Sequence, residues 1–133
     1  MKIKAVLNRD GGTFKTTDMQ TYCESATRAF AAKGHELVCD VVPGAEIVEA
    51  LESASGEAGL DALLAGGGDG TISTAAGIAW KAGLPLGVIP AGTMNLFARS
   101  LKLPLDIWKV LDLLAGAKVA SVDIATANGR PFV

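Results

Sequence analysis

The sequence has no run of lysine or arginine, and its formal net charge is −2 over 133 residues. Proteins that bind nucleic acid or dock electrostatically on a membrane carry clustered positive charge, so neither partner is expected here. No apolar stretch reaches the length of about 18 residues that a membrane-spanning helix needs, and the first residues lack the pattern of a secretory signal. We therefore expect a cytoplasmic protein, with peripheral association at a membrane left open.

Cysteine is also scarce, since the chain contains two, Cys23 and Cys39. They fall in separate predicted elements, and their spacing matches no metal-binding motif. Reduced, partly buried thiols are the expected state of such a pair in the cytosol. The Walker motif of many phosphate-binding enzymes is missing as well. A phosphate site in this chain must therefore rely on other groups, namely main-chain amides or a metal ion.

One segment, residues 66–71, gathers four glycines around a single aspartate; we call it the glycine-rich loop. An apolar run at residues 62–65 precedes it and predicts a buried strand, and an alanine-rich stretch at residues 72–82 predicts a helix closed by Gly83. Glycines at such a junction let a ligand approach the main-chain amides closely. The first amides of a helix have no intrahelical partner and lie at the positive end of its dipole. The loop therefore predicts an anion site, with phosphate as the usual ligand.

Asp69 is the acidic residue within this loop, where a carboxylate would repel a phosphate. Two interpretations remove the conflict. In the first, Asp69 and Gly70 form an ordinary turn, in which the side chain bonds a backbone amide two residues on. In the second, a hard cation such as Mg²⁺ lies between the carboxylate and the phosphate oxygens, directly or through water, and Asp69 has a catalytic or metal-linked role.

Strand and helix patterns alternate along the chain, and Thr17 with Gln20 forms a capping box before the first helix. The predicted strands cover residues 2–7, 36–42, 62–65, 86–89 and 118–127, and the predicted helices cover residues 17–33, a short stretch around 47–51, 72–82, 95–101 and 105–114. This alternation predicts an α/β fold in three layers, with helices on both faces of an open, mostly parallel sheet.

Loops that follow three of these strands are expected at one edge of the sheet. The first loop, Asn8–Gly12, follows the first strand, and the glycine-rich loop follows the third. The Pro90 loop, Pro90–Asn95, follows the fourth. Ligands of open parallel sheets bind beyond the carboxyl ends of the strands. We therefore expect the three loops to meet and to form one site.

The end of the sequence carries a hairpin signal. Asn128–Gly129 is typical of a two-residue hairpin turn, and Arg130–Val133 begins a return strand. A single unfinished hairpin is not a stable ending for a domain. We therefore expect a longer natural chain that continues into more sheet, in the form of a second domain.

Residues 90–99, PAGTMNLFAR, narrow the choice of family. They resemble the P-x-G-T-x-N-D-F-A-R signature of soluble diacylglycerol kinases and their lipid-kinase relatives. The Gly-Gly-Asp-Gly-Thr run alone is also shared with NAD kinases and phosphofructokinases. With Asn8 and Val122-Asp123, the resemblance covers essentially the whole chain, residues 1–133, as the amino-terminal catalytic domain of a two-domain protein with the fold of NAD kinases and diacylglycerol kinases.

The resemblance implies a lipid kinase that depends on ATP and Mg²⁺ and transfers the γ-phosphate to a hydroxyl of diacylglycerol or a related lipid. This chain would be its ATP-binding half. Asp69 would be the catalytic residue and the candidate ligand of Mg²⁺, directly or through water. The residues that the resemblance places at the nucleotide are Asn8, Arg9, Asp10, Gly11, Gly12, Asp40, Gly66, Gly67, Gly68, Asp69, Gly70, Thr71, Ile72, Thr93 and Asn95.

Three positions depart from the family pattern. Arg9 stands where proline is usual, Leu96 stands where aspartate is usual, and Asp40 aligns with a threonine that touches the nucleotide. These departures keep open the alternative of a non-catalytic nucleotide-binding regulator. Among enzymes, one similar to NAD kinases is the other alternative, although the second motif of NAD kinases usually lacks the Asn-x-Phe-Ala-Arg run. The family's β-rich second domain, which is thought to hold the general base, is expected outside this chain. The isolated chain is therefore expected to be inactive, any transient membrane-surface contact would come from that domain, and a homodimer is left open.

Overall fold

The computed structural model describes residues 1–92, 94–95, 99, 103–116, 125–127 and 130–132. The strands with defined bounds are β1 (Lys2–Asn8), β2 (Glu36–Val42), β3 (Ala62–Gly67), β4 (Leu86–Pro90), β5 (Ala125–Ala127) and β6 (Arg130–Phe132). The helices with defined bounds are α1 (Met19–Ala31), α2 (Ile47–Ser55), α3 (Asp69–Ala82) and α4 (Lys109–Gly116), with short 3-10 turns at Gly12–Thr16 and Gly44–Glu46. None of the described helices combines the length and the apolar character that crossing a membrane requires.

Strands β1 to β4 form a parallel sheet in the order β2-β1-β3-β4. β5 and β6 pair antiparallel, with Ala127 opposite Arg130. This pairing confirms the predicted hairpin, although its turn residues, Asn128 and Gly129, lie outside the described residues. Of the predicted last strand, residues 125–127 are confirmed and residues 118–124 lie outside the described part.

The two faces of the sheet bury separate cores. On one face, Ala5 and Leu7 of β1 pack with apolar side chains of α1 and α4. On the other face, Val6 packs with side chains of α2 and α3. β3 is buried along its whole length because helices cover it on both sides. This arrangement confirms the predicted three-layer α/β fold with helices on both faces of a parallel sheet.

Tyr22 of α1 fastens the segment before α4 to the rest of the molecule. Its side chain is buried, and its hydroxyl donates a hydrogen bond of 2.7 Å to the main-chain oxygen of Ile107. Its ring lies 5.5 Å from that of Phe14 and meets Trp108 edge-on at 4.9 Å, centroid to centroid. Burial raises the pKa of the Tyr22 hydroxyl, which therefore remains a hydrogen-bond donor.

Helix α3 begins at Asp69, three residues before its predicted start at Ile72. The apolar periodicity begins only at Ile72, and the N-cap residue, Gly68, has no side chain that could mark the true start. Asp69 and Gly70 are therefore the first residues of the helix and do not form a separate turn before it. The predicted end is confirmed, because Gly83 follows the helix in the left-handed conformation, with φ of 69°.

Helix α1 begins at Met19 and is capped by Asp18, so the prediction of Thr17 as its N-cap is wrong. The Asp18 carboxylate accepts hydrogen bonds from the amides of Gln20, at 3.1 Å, and Thr21, at 3.3 Å. The Thr17 hydroxyl instead donates to the carbonyl of Thr13, at 2.8 Å. Because the Thr17 hydroxyl is bound to Thr13 in the 3-10 turn before the helix, Thr17 does not cap α1.

Helix α4 begins at Lys109 and not at Leu105. The Asp106 carboxylate accepts hydrogen bonds from the amides of Trp108, at 2.8 Å, and Lys109, at 3.1 Å, which fixes the start of the helix. The spacing of Leu105, Trp108, Leu111 and Leu114 in the sequence predicts one apolar helix face. This prediction is wrong at two positions, because Leu105 is 39% and Trp108 is 43% exposed. The predicted helix over residues 95–101 lies largely outside the described residues.

Candidate functional site

The first loop, the glycine-rich loop and the Pro90 loop meet at the carboxyl edge of the sheet. The register places Leu7 opposite Gly66 and Gly67 opposite Pro90, so the three strands end at the same level. The amide of Ala91 donates to the carbonyl of Gly67, at 2.9 Å, which joins the Pro90 loop to the glycine-rich loop. The predicted convergence of the three loops is confirmed.

Main-chain atoms of the three loops lie in direct contact. A Cβ atom built on Gly92 would lie 2.5 Å from the Cα atom of Gly68. One built on Gly11 would lie 3.3 Å from the Cα atom of Gly67, and one on Gly12 would lie 3.2 Å from the carbonyl oxygen of Ala91. Contacts this short are seldom made by real Cβ atoms, so glycine allows the loops to pack against each other.

The glycine-rich loop contains glycines of two kinds. A Cβ atom at Gly66 would lie 2.6 Å from Leu7 Cδ2, and one at Gly67 would lie 2.9 Å from Thr71 Cβ, so packing requires glycine at both. At Gly68 the shortest contact would be an ordinary 3.6 Å, and at Gly70 a Cβ atom would meet nothing within 4 Å. Packing therefore does not account for glycine at position 70.

The start of α3 supplies main-chain donors at this edge. Its first internal hydrogen bond runs from the amide of Ile72 to the carbonyl of Gly68, at 3.1 Å. The amides of Gly70 and Thr71 precede that bond and have no carbonyl of their own helix to bind. Gly70 is exposed, whereas Thr71 and Ile72 are buried. The site thus combines open amides with the positive end of a helix dipole, which suits an anion.

Asp69 is half-buried and is the first residue of α3. The dipole of the helix favours a negative side chain in this turn. The residues described contain no group of three or more acidic, histidine or cysteine side chains that could hold a metal by themselves. A single carboxylate beside an anion site still fits Mg²⁺, which takes one or two protein carboxylates and completes its shell with phosphate oxygens and water.

The side chains of the first loop mainly hold the loops in place. Asn8 Nδ2 donates to the hydroxyl of Thr71, at 3.3 Å, and Asn8 Oδ1 accepts from the amide of Asp10, at 2.9 Å. The Asp10 carboxylate accepts from the amide of Gly44, at 2.8 Å. Arg9 is exposed, and its amide donates to the carbonyl of Val42, at 2.9 Å. Asn8 thus links the first loop to the first turn of α3.

Asn95 is buried, with 8% of its surface exposed, and closes the Pro90 loop. Its Oδ1 accepts from the amide of Gly92 and its Nδ2 donates to the carbonyl of the same residue, both at 2.9 Å. Its φ is 51°, a conformation that asparagine tolerates better than most residues. Arg99 Nε donates to the carbonyl of Met94, at 2.7 Å. Thr93, the other candidate of this loop, lies outside the described residues.

Asp40 lies within β2 and not in a loop. It pairs in register with Val6, two residues before the pair of Val42 and Asn8 at the edge of the sheet. Gly44, which the sequence interpretation did not include, instead reaches the first loop through its bond to Asp10. The available signal was the Pro43-Gly44 turn directly after β2, since a residue just past a strand end lies at the same edge as the other loops.

Comparison with known sequences gives consistent matches. Residues 2–127 match the family model described as the diacylglycerol kinase catalytic domain. The chain is 44% identical over 79 residues to a diacylglycerol kinase of Staphylococcus saprophyticus. This match covers 58% of this chain and 26% of that protein. The chain is also 47% identical over 75 residues to a diacylglycerol kinase of Staphylococcus aureus. That match covers 55% of this chain and 24% of the staphylococcal protein.

Comparison with solved structures gives a match along nearly the whole chain. A diacylglycerol kinase from Bacillus anthracis has a TM-score of 0.77 and 24% sequence identity, over 98% of this chain and 45% of that one. At this identity the likeness shows the fold. The chain thus spans about half the length of that structure, and the matched segments span about a quarter of the two staphylococcal proteins.

Proposed function

Because the chain belongs to the diacylglycerol kinase catalytic domain family, we propose that it is the ATP-binding part of a lipid kinase that depends on ATP and Mg²⁺. The enzyme transfers the γ-phosphate of ATP to a hydroxyl of diacylglycerol or a related lipid. Residues 1–133 form its nucleotide-binding domain. A β-rich domain that follows them in the complete protein supplies the general base and a share of the lipid site.

The observation that carries the proposal is the bare main chain at the start of α3. Packing does not require glycine at position 70, because a Cβ atom there would meet nothing within 4 Å. Glycine within a helix is less favourable than alanine by about 0.5–1 kcal/mol. The fold therefore gives no reason for this glycine. Close approach of a phosphate group to the exposed amides supplies one.

Phosphoryl transfer requires mainly the positioning of the reactants and the stabilisation of charge. In this proposal the amides of Gly70 and Thr71 hold the β- and γ-phosphates, and Asn8 fixes the first turn of α3 through the Thr71 hydroxyl. The three loops contain no lysine, and their one basic side chain is the exposed Arg9. Main-chain donors and a cation therefore provide most of the positive charge.

Asp69 holds that cation in the proposed site. Its carboxylate is half-buried and adjoins the amides that bind the phosphates. Bound there, Mg²⁺ would neutralise charge on the phosphate oxygens during transfer.

The test is a transfer assay on the complete protein with labelled ATP and Mg²⁺. Diacylglycerol, a sphingoid base and NAD are offered as separate acceptors. We expect a labelled lipid product and no labelled NAD product. Asp69→Asn, which keeps the size of the side chain, should lower transfer by about a hundredfold or more, the loss typical of removing one group that stabilises transition-state charge. Asp112→Asn on α4, at an exposed position, is the control and should leave transfer unchanged.

Two results would overturn the proposal. Phosphorylation of NAD without phosphorylation of any lipid would make the protein an enzyme similar to NAD kinases. Tight binding of ATP without any phosphorylated acceptor would make it a nucleotide-binding regulator. Full transfer by Asp69→Asn would leave the kinase assignment standing and remove Asp69 from the mechanism.

A further inference from the structure

A cavity lies between α1 and the edge strand β2. This open cavity of about 780 Å³ is lined by residues of both elements, among them Cys23 of α1 and Cys39 of β2. Glu24 and Arg28 supply charged groups to its wall. The loops that form the candidate nucleotide site contribute no residue to this lining. The cavity is therefore separate from the site described above.

The two cysteines are adjacent in space although 15 residues separate them in the sequence. Both side chains are half-buried, and both pack against the same hydrophobic core. Both residues line the same cavity, and their thiols share a side-chain hydrogen bond. This bond lowers the pKa of the Cys23 thiol, and the bond together with burial raises the pKa of the Cys39 thiol. One sulfur is thus favoured as a thiolate while its neighbour keeps its proton.

We propose that Cys23 and Cys39 form an oxidisable dithiol, a modification site at which a hydroperoxide enters the cavity and the two sulfurs close into an intramolecular disulfide. Cys23 is the nucleophile, because it lines the cavity and is the thiol whose pKa the hydrogen bond lowers. Cys39 is the resolving thiol, because it lines the same cavity and shares a hydrogen bond with Cys23.

The reaction proceeds in two balanced steps. The Cys23 thiolate attacks one oxygen of hydrogen peroxide, the O–O bond breaks, hydroxide leaves and takes up a proton, and Cys23 becomes a sulfenic acid. The Cys39 sulfur then attacks the Cys23 sulfur, the S–O bond breaks, and water leaves with the Cys39 proton. In total, two thiols and one peroxide give one disulfide and two waters. The sulfurs lose two electrons and the peroxide gains them.

The disulfide would tie α1 to the edge of the sheet. α1 follows the 3-10 turn at Gly12–Thr16, and that turn directly follows the first loop. Cys23 therefore lies on the helix that leads out of the candidate nucleotide site, and Cys39 lies on the neighbouring strand β2. The inference does not depend on the proposed kinase activity, since its products are read from the protein itself.

The test uses hydrogen peroxide on the folded, complete protein, followed by blocking of free thiols and a tryptic map without reductant. Cleavage after Lys15, Arg28, Lys33 and Lys81 places the two cysteines in different peptides. We expect one cross-linked peptide pair, two hydrogens lighter than the sum of its parts, that dithiothreitol separates again. In Cys39→Ser, a sulfenic acid should persist on Cys23 and react with dimedone. In Cys23→Ser, oxidation of Cys39 should be at least tenfold slower.

The experiment needs a folding control, and two results would contradict the proposal. Thermal melts of both serine variants establish that they are folded under the conditions of the assay. The proposal fails if the cross-linked pair arises only after the wild-type protein is denatured. It also fails if Cys23 in folded Cys39→Ser reacts with peroxide no faster than glutathione does. Either result would make the pair two inert packing residues.

Discussion

Gly92 and Gly68 touch through main-chain atoms, since a Cβ atom on Gly92 would lie 2.5 Å from the Cα atom of Gly68. The Pro90 loop therefore rests directly on the residue that precedes α3. The atom nearest to that Cβ belongs to the main chain, which cannot move aside as the end of a flexible side chain can. The position of the open amides at the start of α3 consequently depends on the Pro90 loop, which Asn95 closes from the other side.

Gly92→Ala should destabilise the protein. The added methyl group forces the two loops apart, and overpacking of this kind typically lowers the free energy of unfolding by about 1–3 kcal/mol. Urea unfolding should show a lower midpoint. Gly56→Ala is the matched control, because its Cβ atom would make only ordinary contacts, the shortest at 3.7 Å, at the far end of α2. An unchanged midpoint for Gly92→Ala would mean that the loops separate without cost.

Substitutions of Asn95 should separate its hydrogen bonds from its backbone conformation. Asn95→Gly removes both bonds to Gly92 and tolerates φ of 51°. Asn95→Ala removes the same bonds and also places a Cβ atom in the left-handed region, which costs about 1–2 kcal/mol more. We expect the midpoint of urea unfolding to fall in the order wild type, glycine variant, alanine variant. Equal midpoints for the two variants would contradict a conformational contribution at this position.

Most of the fold could be predicted because the sequence patterns that mark its strands are local. β2 was predicted with its observed bounds, and the runs that became β3 and β4 are short, apolar and flanked by turn residues. The rule that ligand loops lie at the carboxyl ends of parallel strands then brought the three loops together. The start of α3 could not be predicted, because Gly68 offers no side chain to mark the cap.

The individual tasks of the site residues were not predictable, because each depends on a contact between distant segments. Asn8 reaches Thr71 across 63 positions, and Asp10 reaches Gly44 across 34. Cys23 and Cys39 were expected as separate thiols, since no pattern in the sequence indicates that α1 lies over β2 with these two side chains adjacent. Roles in ATP and Mg²⁺ binding stay predictions for all the candidate residues.

The cap of α1 should make stability depend on pH. Hydrogen bonds from the amide and hydroxyl of Thr21 hold the pKa of Asp18 below its ordinary value of 3.8. A carboxylate with a lowered pKa in the folded state contributes stability above its unfolded pKa, and this contribution is lost as the pH falls through the folded pKa. Asp18→Ala should therefore melt below the wild type at pH 6, and the difference should shrink progressively below about pH 4. A difference that is constant with pH would show that the charge of Asp18 does not matter.

Tyr22→Phe should show how much one buried hydrogen bond contributes to the stability of the protein. Phenylalanine can keep the ring contacts with Phe14 and Trp108 but leaves the carbonyl of Ile107 without the Tyr22 donor. An unsatisfied buried acceptor costs about 1–3 kcal/mol, so the urea midpoint should fall by a corresponding amount. Hydrogen exchange should also be faster in α4, which this bond fastens to α1. Unchanged stability would mean that water or another donor replaces the hydroxyl.

Gly70→Ala should show whether the glycine at this position serves ligand binding and not the stability of the fold. The position is helical and exposed, and a Cβ atom would meet nothing within 4 Å. The melting temperature should therefore stay the same or rise, in keeping with a gain of up to about 0.5–1 kcal/mol for alanine over glycine in a helix. If a phosphate group lies against this amide, the methyl group should weaken binding of ATP with Mg²⁺ by about tenfold or more, which is about 1.4 kcal/mol or more.

Titration calorimetry on the complete protein measures that loss, with Gly56→Ala as the control for a glycine remote from the loops. Gly66→Ala is the contrasting case, because its Cβ atom would clash with Leu7 and Phe14. This variant should therefore have a lower melting temperature than the wild type. A Gly70→Ala protein that binds the nucleotide as tightly as the wild type would remove the reason for a bare main chain at this position. The anion site would then have to be sought elsewhere along the sheet edge, because the remaining glycines of the loop are already explained by packing or by the N-cap.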